Sequence, residues 1–157
     1  PAYKGITLGT ATAIALAAAG HNVPFCFNRK EAKDHGEGGV IVGAPLQGRV
    51  LIIDDTVSAG TSVNESVTLI RAAGATVAGV VIALDRQECG GDAERLTATT
   101  ATEEVSRQHG IPVIAIATLD EVLAHVRRSR HLEEMQAVNA RIEAYRERYG
   151  ARRVATA

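Results

Sequence analysis

Apolar and polar positions fall in blocks along this chain. Val50 to Ile53, Thr76 to Leu84 and Pro112 to Ala117 are short apolar runs, several of them rich in β-branched residues. Runs of this length between turn residues predict strands covered on both faces. Val23 to Phe27 predicts a further short strand, which Pro24 confines to an edge or a strand start. The intervening blocks read as helices. Ile6 to Ala19 is rich in Ala and Leu with apolar residues on most faces, which predicts a largely buried helix ended by Gly20. Ser62 to Ala73 opens on a capping box, Ser62 with Glu65, and stops at Gly74. Thr100 with Glu103 opens a helix to His109, with Gly110 as its stop. Thr118 with Glu121 opens another to about Arg128. His131 to Tyr149 is a charged amphipathic helix. Strands alternating with helices predict an α/β fold, a mostly parallel sheet flanked by helices.

Several stretches break the pattern. Asn28 to Gly39 has Ala32 as its one apolar side chain and three glycines near its end, which predicts a mobile loop. Val40 to Val42 is apolar again, so residues 28–40 read as a flap that returns as a strand. Pro1 to Gly5 and Pro45 to Gly48 read as turns, and Cys89 to Asp92 as a glycine-bearing loop. The tail, 150–157, reads as frayed, leaving residues 1–149 as one domain. The chain opens at Pro1, in a loop entering a helix with no strand before it, so a preceding segment is expected.

Composition narrows the function classes. Charged residues make up 22% and the net charge is −1, which gives no general surface for nucleic acid. The cysteines, Cys26 and Cys89, form no CxxC pair and read as reduced core and loop residues of a cytoplasmic protein. The longest Ala-rich run, Ala11 to Ala19, is too short to cross a bilayer, so no membrane association is expected. The remaining histidines, His21, His109, His125 and His131, show no metal-ligand spacing.

Chemistry concentrates after the strand at Val50 to Ile53. Asp54 and Asp55 stand at its carboxyl end, followed by Thr56, Val57, Ser58, Ala59, Gly60, Thr61 and Ser62. Carboxylates accept hydrogen bonds from vicinal sugar hydroxyls. Loop amides, hydroxyls and a helix N-terminus hold a phosphate. A plain strand-to-helix turn with solvated acids is the alternative. Arg29, Lys30, Lys33 and His35 put four basic groups on the flap, which suits a highly charged leaving group shielded from water; a solvated charge run is the alternative. Tyr3 and Lys4 precede a helix, where pyrophosphate or an ordinary capping turn would fit. Arg86 follows the strand at Thr76 to Leu84, at the end where open α/β sheets bind ligands, or else it forms an ion pair with Asp85 or Glu88.

The stretch from Val50 to Ser62 resembles the 5-phosphoribosyl 1-diphosphate (PRPP) motif of type I phosphoribosyltransferases. Phe25 to Gly39 is similar to the flexible loop of the bacterial orotate phosphoribosyltransferase family, and Pro1 to Ile6 and Leu84 to Glu88 fit the same family. The resemblance implies a type I phosphoribosyltransferase core whose N-terminal hood and first strand, with their base and PRPP contacts, are missing here. It implies transfer of a phosphoribosyl group from PRPP to orotate in pyrimidine biosynthesis. Asp54 and Asp55 would meet the ribose hydroxyls, and Ser58 to Ser62 the 5-phosphate. Tyr3 and Lys4 would lie near pyrophosphate. Arg29, Lys33 and His35 would reach it from the facing subunit of a homodimer, while Lys30 acts in its own. Ser58 and Arg86 would contact orotate, Arg86 donating to the orotate carboxylate. Position 58 is commonly Thr in this family; Ser keeps the hydroxyl. Mg²⁺ would bridge pyrophosphate and ribose hydroxyls with no direct protein ligand. A purine phosphoribosyltransferase would keep the loop without needing Arg86, and a non-catalytic PRPP-binding regulator could dispense with the flap.

Overall fold

The computed structural model describes residues 1–33, 39–91, 96–128 and 132–151. They divide into two compact units: Pro1–Asp55 with Thr61–Val81, and Thr56–Gly60 with Ile82–Ala157. No described helix is long and apolar enough to cross a membrane.

The first unit contains helix α1 (Lys4–Ala18), strands β1 (Cys26–Lys33), β2 (Gly39–Gly43) and β3 (Arg49–Asp54), helix α2 (Thr61–Ala72) and the start of strand β4 (Thr76–Asp85). Its core is built from Ile52 of β3, Val63, Val67 and Ile70 of α2, and Ala75 and Val80. Burial of these side chains is the main local driving force, at roughly 1.5–3 kcal/mol for each large aliphatic. Gly74 ends α2 at φ 75, with Ala75 N–H donating to the Ile70 carbonyl and Gly74 N–H to that of Arg71, the left-handed stop that the sequence predicts.

The second unit holds the end of β4, strands β5 (Cys89–Gly91) and β6 (Leu96–Thr100), helix α3 (Ala101–His109), strand β7 (Val113–Thr118) and helices α4 (Leu119–Arg128) and α5 (Leu132–Tyr149). Ile82, Val105, Ile111, Leu119, Leu123 and Val126 are buried in it. The capping box at Thr100 is complete: Glu103 N–H donates to its hydroxyl at 3.2 Å, and Thr100 N–H donates to the Glu103 carboxylate at 2.9 Å. Thr118 and Glu121 make the same exchange before α4. Strands β3, β4 and β7 form a parallel sheet in that order, flanked by helices, which is the expected α/β class.

Several local expectations are corrected. The helix α1 begins at Lys4, so Lys4 and Gly5 are helical, and it is not largely buried: Gly5 and Gly9 are its buried residues, and Ile14 is 66% exposed. Alanine enrichment reflects helix propensity as well as burial. The strand expected at Val23 begins only at Cys26, beyond the donor-less Pro24. The described part of the flap is not a loop. Residues through Lys33 continue β1, antiparallel to β2, with Asn28 opposite Ile41 and Lys33 opposite Gly39. A charged strand is tolerated where a hairpin supplies the backbone pairing; His35 lies outside the described residues. Ser62 does not cap α2, because the helix starts at Thr61 after Gly60 at φ 71. Cys89 to Gly91 is a strand rather than a loop, paired with β6. Gly150 and Ala151 of the tail are also held: Glu88 bridges Gly150, and Ala151 N–H donates to the Gln87 carbonyl at 2.9 Å.

Candidate functional site

In the first unit, β3 carries Asp54 to its carboxyl end, where the side chain is 6% exposed. One carboxylate oxygen accepts from Asp55 N–H at 2.9 Å, and the other from the Ser62 hydroxyl at 3.0 Å. Burial pushes its pKa up, and these hydrogen bonds pull against that shift without cancelling it. Asp55 pairs with Lys4, the Nζ lying 2.9 Å from Oδ2. The Lys30 ammonium sits 5.3 Å from the centre of the Tyr3 ring, a cation–π contact. A hollow of about 290 Å³ is lined by Tyr3, Arg29 and Lys30 with Ala2, Ile6, Phe27, Asn28 and Glu31. The start of α1, the acidic end of β3, and Arg29 and Lys30 of β1 are therefore brought together in one unit. A glycine makes this approach possible: a Cβ on Gly5 would lie 2.7 Å from the Ile53 carbonyl oxygen, so α1 rests on β3 beside the acids.

The loop after Asp55 has Val57 and Gly60 buried, Ser58 and Ala59 exposed and Thr56 half-buried. Among the described residues, no backbone carbonyl accepts from the amides of residues 56–60, and Thr61 opens α2 at its exposed edge. Amides ahead of a helix N-terminus favour an anion. The Ser62 hydroxyl is committed to Asp54, which leaves its backbone as the part able to serve a phosphate. A larger cavity in the first unit, about 370 Å³, is lined by side chains such as Leu16, Phe25, Val50 and Leu69. It contains none of the residues expected to carry chemistry.

In the second unit, Arg86 follows β4 directly. Its Nη2 lies 2.9 Å from Glu88 Oε2, and its Nη1 is 3.4 Å from the Tyr145 hydroxyl. The ion pair that the sequence left open as an alternative is therefore formed, with Glu88 rather than Asp85. The loop that carries Arg86 is tightly tied. Gln87 adopts φ 55, a costly conformation for a residue other than glycine. Its N–H donates to Asp85 Oδ1 at 2.8 Å, its Oε1 accepts from Asp120 N–H at 3.0 Å, and its Nε2 donates to Asp120 Oδ2 at 3.2 Å. The Thr102 hydroxyl donates to Asp85 Oδ2 at 2.9 Å, and Arg146 pairs with Asp120 at 2.6 Å. Sequence reasoning named Glu88 only as a surface ion-pair partner, and it missed Tyr145, Gln87 and Asp120. The C-terminal helix read as charged and amphipathic, and it half-buries Tyr145 and Arg146. The available signal was Tyr145 itself, an aromatic within a run of charges.

Lys33 closes β1, and its side chain, like all of His35, lies outside what the structure describes. Among the described residues, no group of three or more His, Cys, Asp or Glu is placed to hold a metal. Cys26 and Cys89 are free thiols, and burial raises the pKa of Cys26.

Residues 1–111 match the phosphoribosyl transferase domain family. The chain is 58% identical over 150 residues to the orotate phosphoribosyltransferase of Cupriavidus necator, covering 96% of this chain and 66% of that protein. It is 57% identical over 150 residues to that of Herminiimonas arsenicoxydans, covering 96% and 68%. Among solved structures, the orotate phosphoribosyltransferase of Francisella tularensis superposes with a TM-score of 0.72 at 36% identity, over 96% of this chain and 68% of that one. The chain spans about two thirds of the length of these relatives. It belongs to the phosphoribosyltransferase family and, within it, to the orotate phosphoribosyltransferases.

Proposed function

We propose that this chain carries the PRPP-binding and catalytic residues of an enzyme that transfers the 5-phosphoribosyl group from PRPP to a ring nitrogen of orotate. The products are orotidine 5′-phosphate and diphosphate, within cytoplasmic pyrimidine biosynthesis. The observation that carries the reading is the acidic end of β3. Asp54 and Asp55 stand there between the N-terminus of α2 and the group formed by Tyr3, Lys4 and Lys30.

In this reading Asp54 and Asp55 accept hydrogen bonds from the ribose hydroxyls. The amides of residues 56–60, with Thr61 and the backbone of Ser62, hold the 5-phosphate. Tyr3, Lys4 and Lys30 lie along the diphosphate. Arg29, Lys33 and His35 reach it from the facing subunit of a homodimer. Ser58 and Arg86 meet orotate, Arg86 through the carboxylate. The transition state is loose, with positive charge on the ribose ring and negative charge growing on the leaving diphosphate. Catalysis is then positional and electrostatic, and a single well-placed donor contributes roughly 10²–10³-fold.

Mg²⁺, a hard cation that often arrives with substrate phosphates, would be held here through PRPP with no direct protein ligand, since Asp54 is bonded to Ser62 and Asp55 is paired with Lys4. The ion would supply charge neutralisation of the leaving group, and Asp54 and Asp55 would orient the ribose hydroxyls.

Acceptor competition tests the assignment. Purified chain with PRPP and Mg²⁺ is offered orotate, adenine and hypoxanthine separately. Consumption of orotate alone supports the reading; consumption of a purine with orotate untouched replaces it with a purine phosphoribosyltransferase.

A further inference from the structure

The Arg86 guanidinium has five N–H donors. Glu88 takes one on Nη2, and the Tyr145 hydroxyl lies against Nη1. The Nε–H is buried without a partner. One hydrogen on each Nη is left over. Glu88 is itself held: its side chain is 14% exposed, and the Tyr145 hydroxyl donates to its second carboxylate oxygen. A carboxylate so far removed from water is costly unless paired and hydrogen-bonded, and here both conditions are met. The backbone around it is fixed too. The Glu88 carbonyl accepts from Ala101 N–H at 3.1 Å, and Glu88 bridges Gly150 just beyond α5.

We propose that Glu88 and Tyr145 are positioning residues for Arg86, so that the C-terminal end of α5 helps select an acceptor bearing a carboxylate. This rests on the assignment of Arg86 to the orotate carboxylate. A free arginine side chain samples many rotamers and loses that freedom on binding. Arg86 is already fixed through two of its nitrogens, Nη2 by the Glu88 carboxylate and Nη1 by the Tyr145 hydroxyl, which in turn holds that carboxylate. Neither Glu88 nor Tyr145 needs to touch the ligand for this.

The test compares the affinities of orotidine 5′-monophosphate and uridine 5′-monophosphate by titration calorimetry. These ligands differ only in the carboxylate. The unsubstituted chain is expected to prefer the orotidine nucleotide. Glu88→Gln is expected to cut that preference about tenfold, and Tyr145→Phe by about threefold, with uridine nucleotide affinity unchanged in both. Tyr145→Phe keeps the ring and the charge balance, so it decides the matter if Glu88→Gln fails to fold. A preference that persists in the folded variants, or grows, overturns the positioning role alone. No preference in the unsubstituted chain overturns the assignment of Arg86, and this inference with it.

Discussion

The Ser62 hydroxyl donates to Asp54 Oδ2 at 3.0 Å, tying the first turn of α2 to the end of β3. The bond fixes a carboxylate whose pKa burial has raised. The sign follows from proton binding. The folded chain holds the Asp54 proton more tightly than the unfolded chain, so this group's contribution to stability falls as pH rises from its ordinary value through the raised one. Above that window the ionised carboxylate is a standing cost. Asp54→Asn is therefore expected to melt no lower than the parent at pH 7.5, with any gain vanishing as pH drops below the ordinary aspartate range. Transfer activity should fall about 10²-fold or more if the carboxylate serves the transition state. Calorimetric melts at several pH values, beside steady-state rates, check both parts.

Lys4 and Asp55 form an exposed pair, with the Lys4 side chain 78% exposed. Exposed pairs contribute about 0–1 kcal/mol, so Lys4→Ala should leave stability almost unchanged. If Lys4 serves the diphosphate, PRPP affinity should drop roughly tenfold, in line with a lost charge-assisted hydrogen bond. Urea unfolding and PRPP titration on the same samples separate the two effects.

Gly5→Ala should be destabilising even though alanine is the better helix former. The added Cβ would meet the Ile53 carbonyl oxygen at 2.7 Å and Pro1 Cδ at 2.8 Å. Forcing α1 off β3 is expected to cost about 1–3 kcal/mol net, and it moves Lys4 from Asp55. A urea midpoint that rises in the variant would contradict this packing.

If the proposed flap residues act across a homodimer, mixed variants should complement one another. Lys33→Ala is expected to lower turnover far more than PRPP affinity, because the flap acts chiefly in the transition state. Mixing inactive Lys33→Ala and Asp54→Asn chains should then restore about a quarter of parental activity, since random pairing in a two-fold dimer leaves one intact site in half the dimers. No recovery on mixing, with heterodimers present by mass spectrometry, contradicts action from the facing subunit.

The order of strand, acids, loop and helix was legible because it is local: Val50 to Ile53, Asp54, Asp55 and the helix from Thr61 follow one another along the chain. The capping boxes at Thr100 and Thr118 were legible for the same reason. The capping role of Ser62 was misread because Asp54, eight positions earlier, takes its hydroxyl. The Arg86–Glu88 pair was open to the sequence as an alternative, but the part of Tyr145 was invisible because it lies 57 positions from Glu88. Period and spacing carry no record of such a pair. The first part of the flap was misread because a hairpin is built from backbone pairing, which a charged strand such as Asn28 to Lys33 supplies without apolar alternation.

Phosphorus NMR of the purified chain with PRPP, Mg²⁺ and orotate tests the central claim most directly. The account expects PRPP signals to be replaced by those of orotidine 5′-phosphate and diphosphate in equal amounts, only when orotate is present, and far more slowly with Asp54→Asn. Diphosphate released without orotidine 5′-phosphate, or PRPP left intact beside orotate in a folded chain, would contradict it.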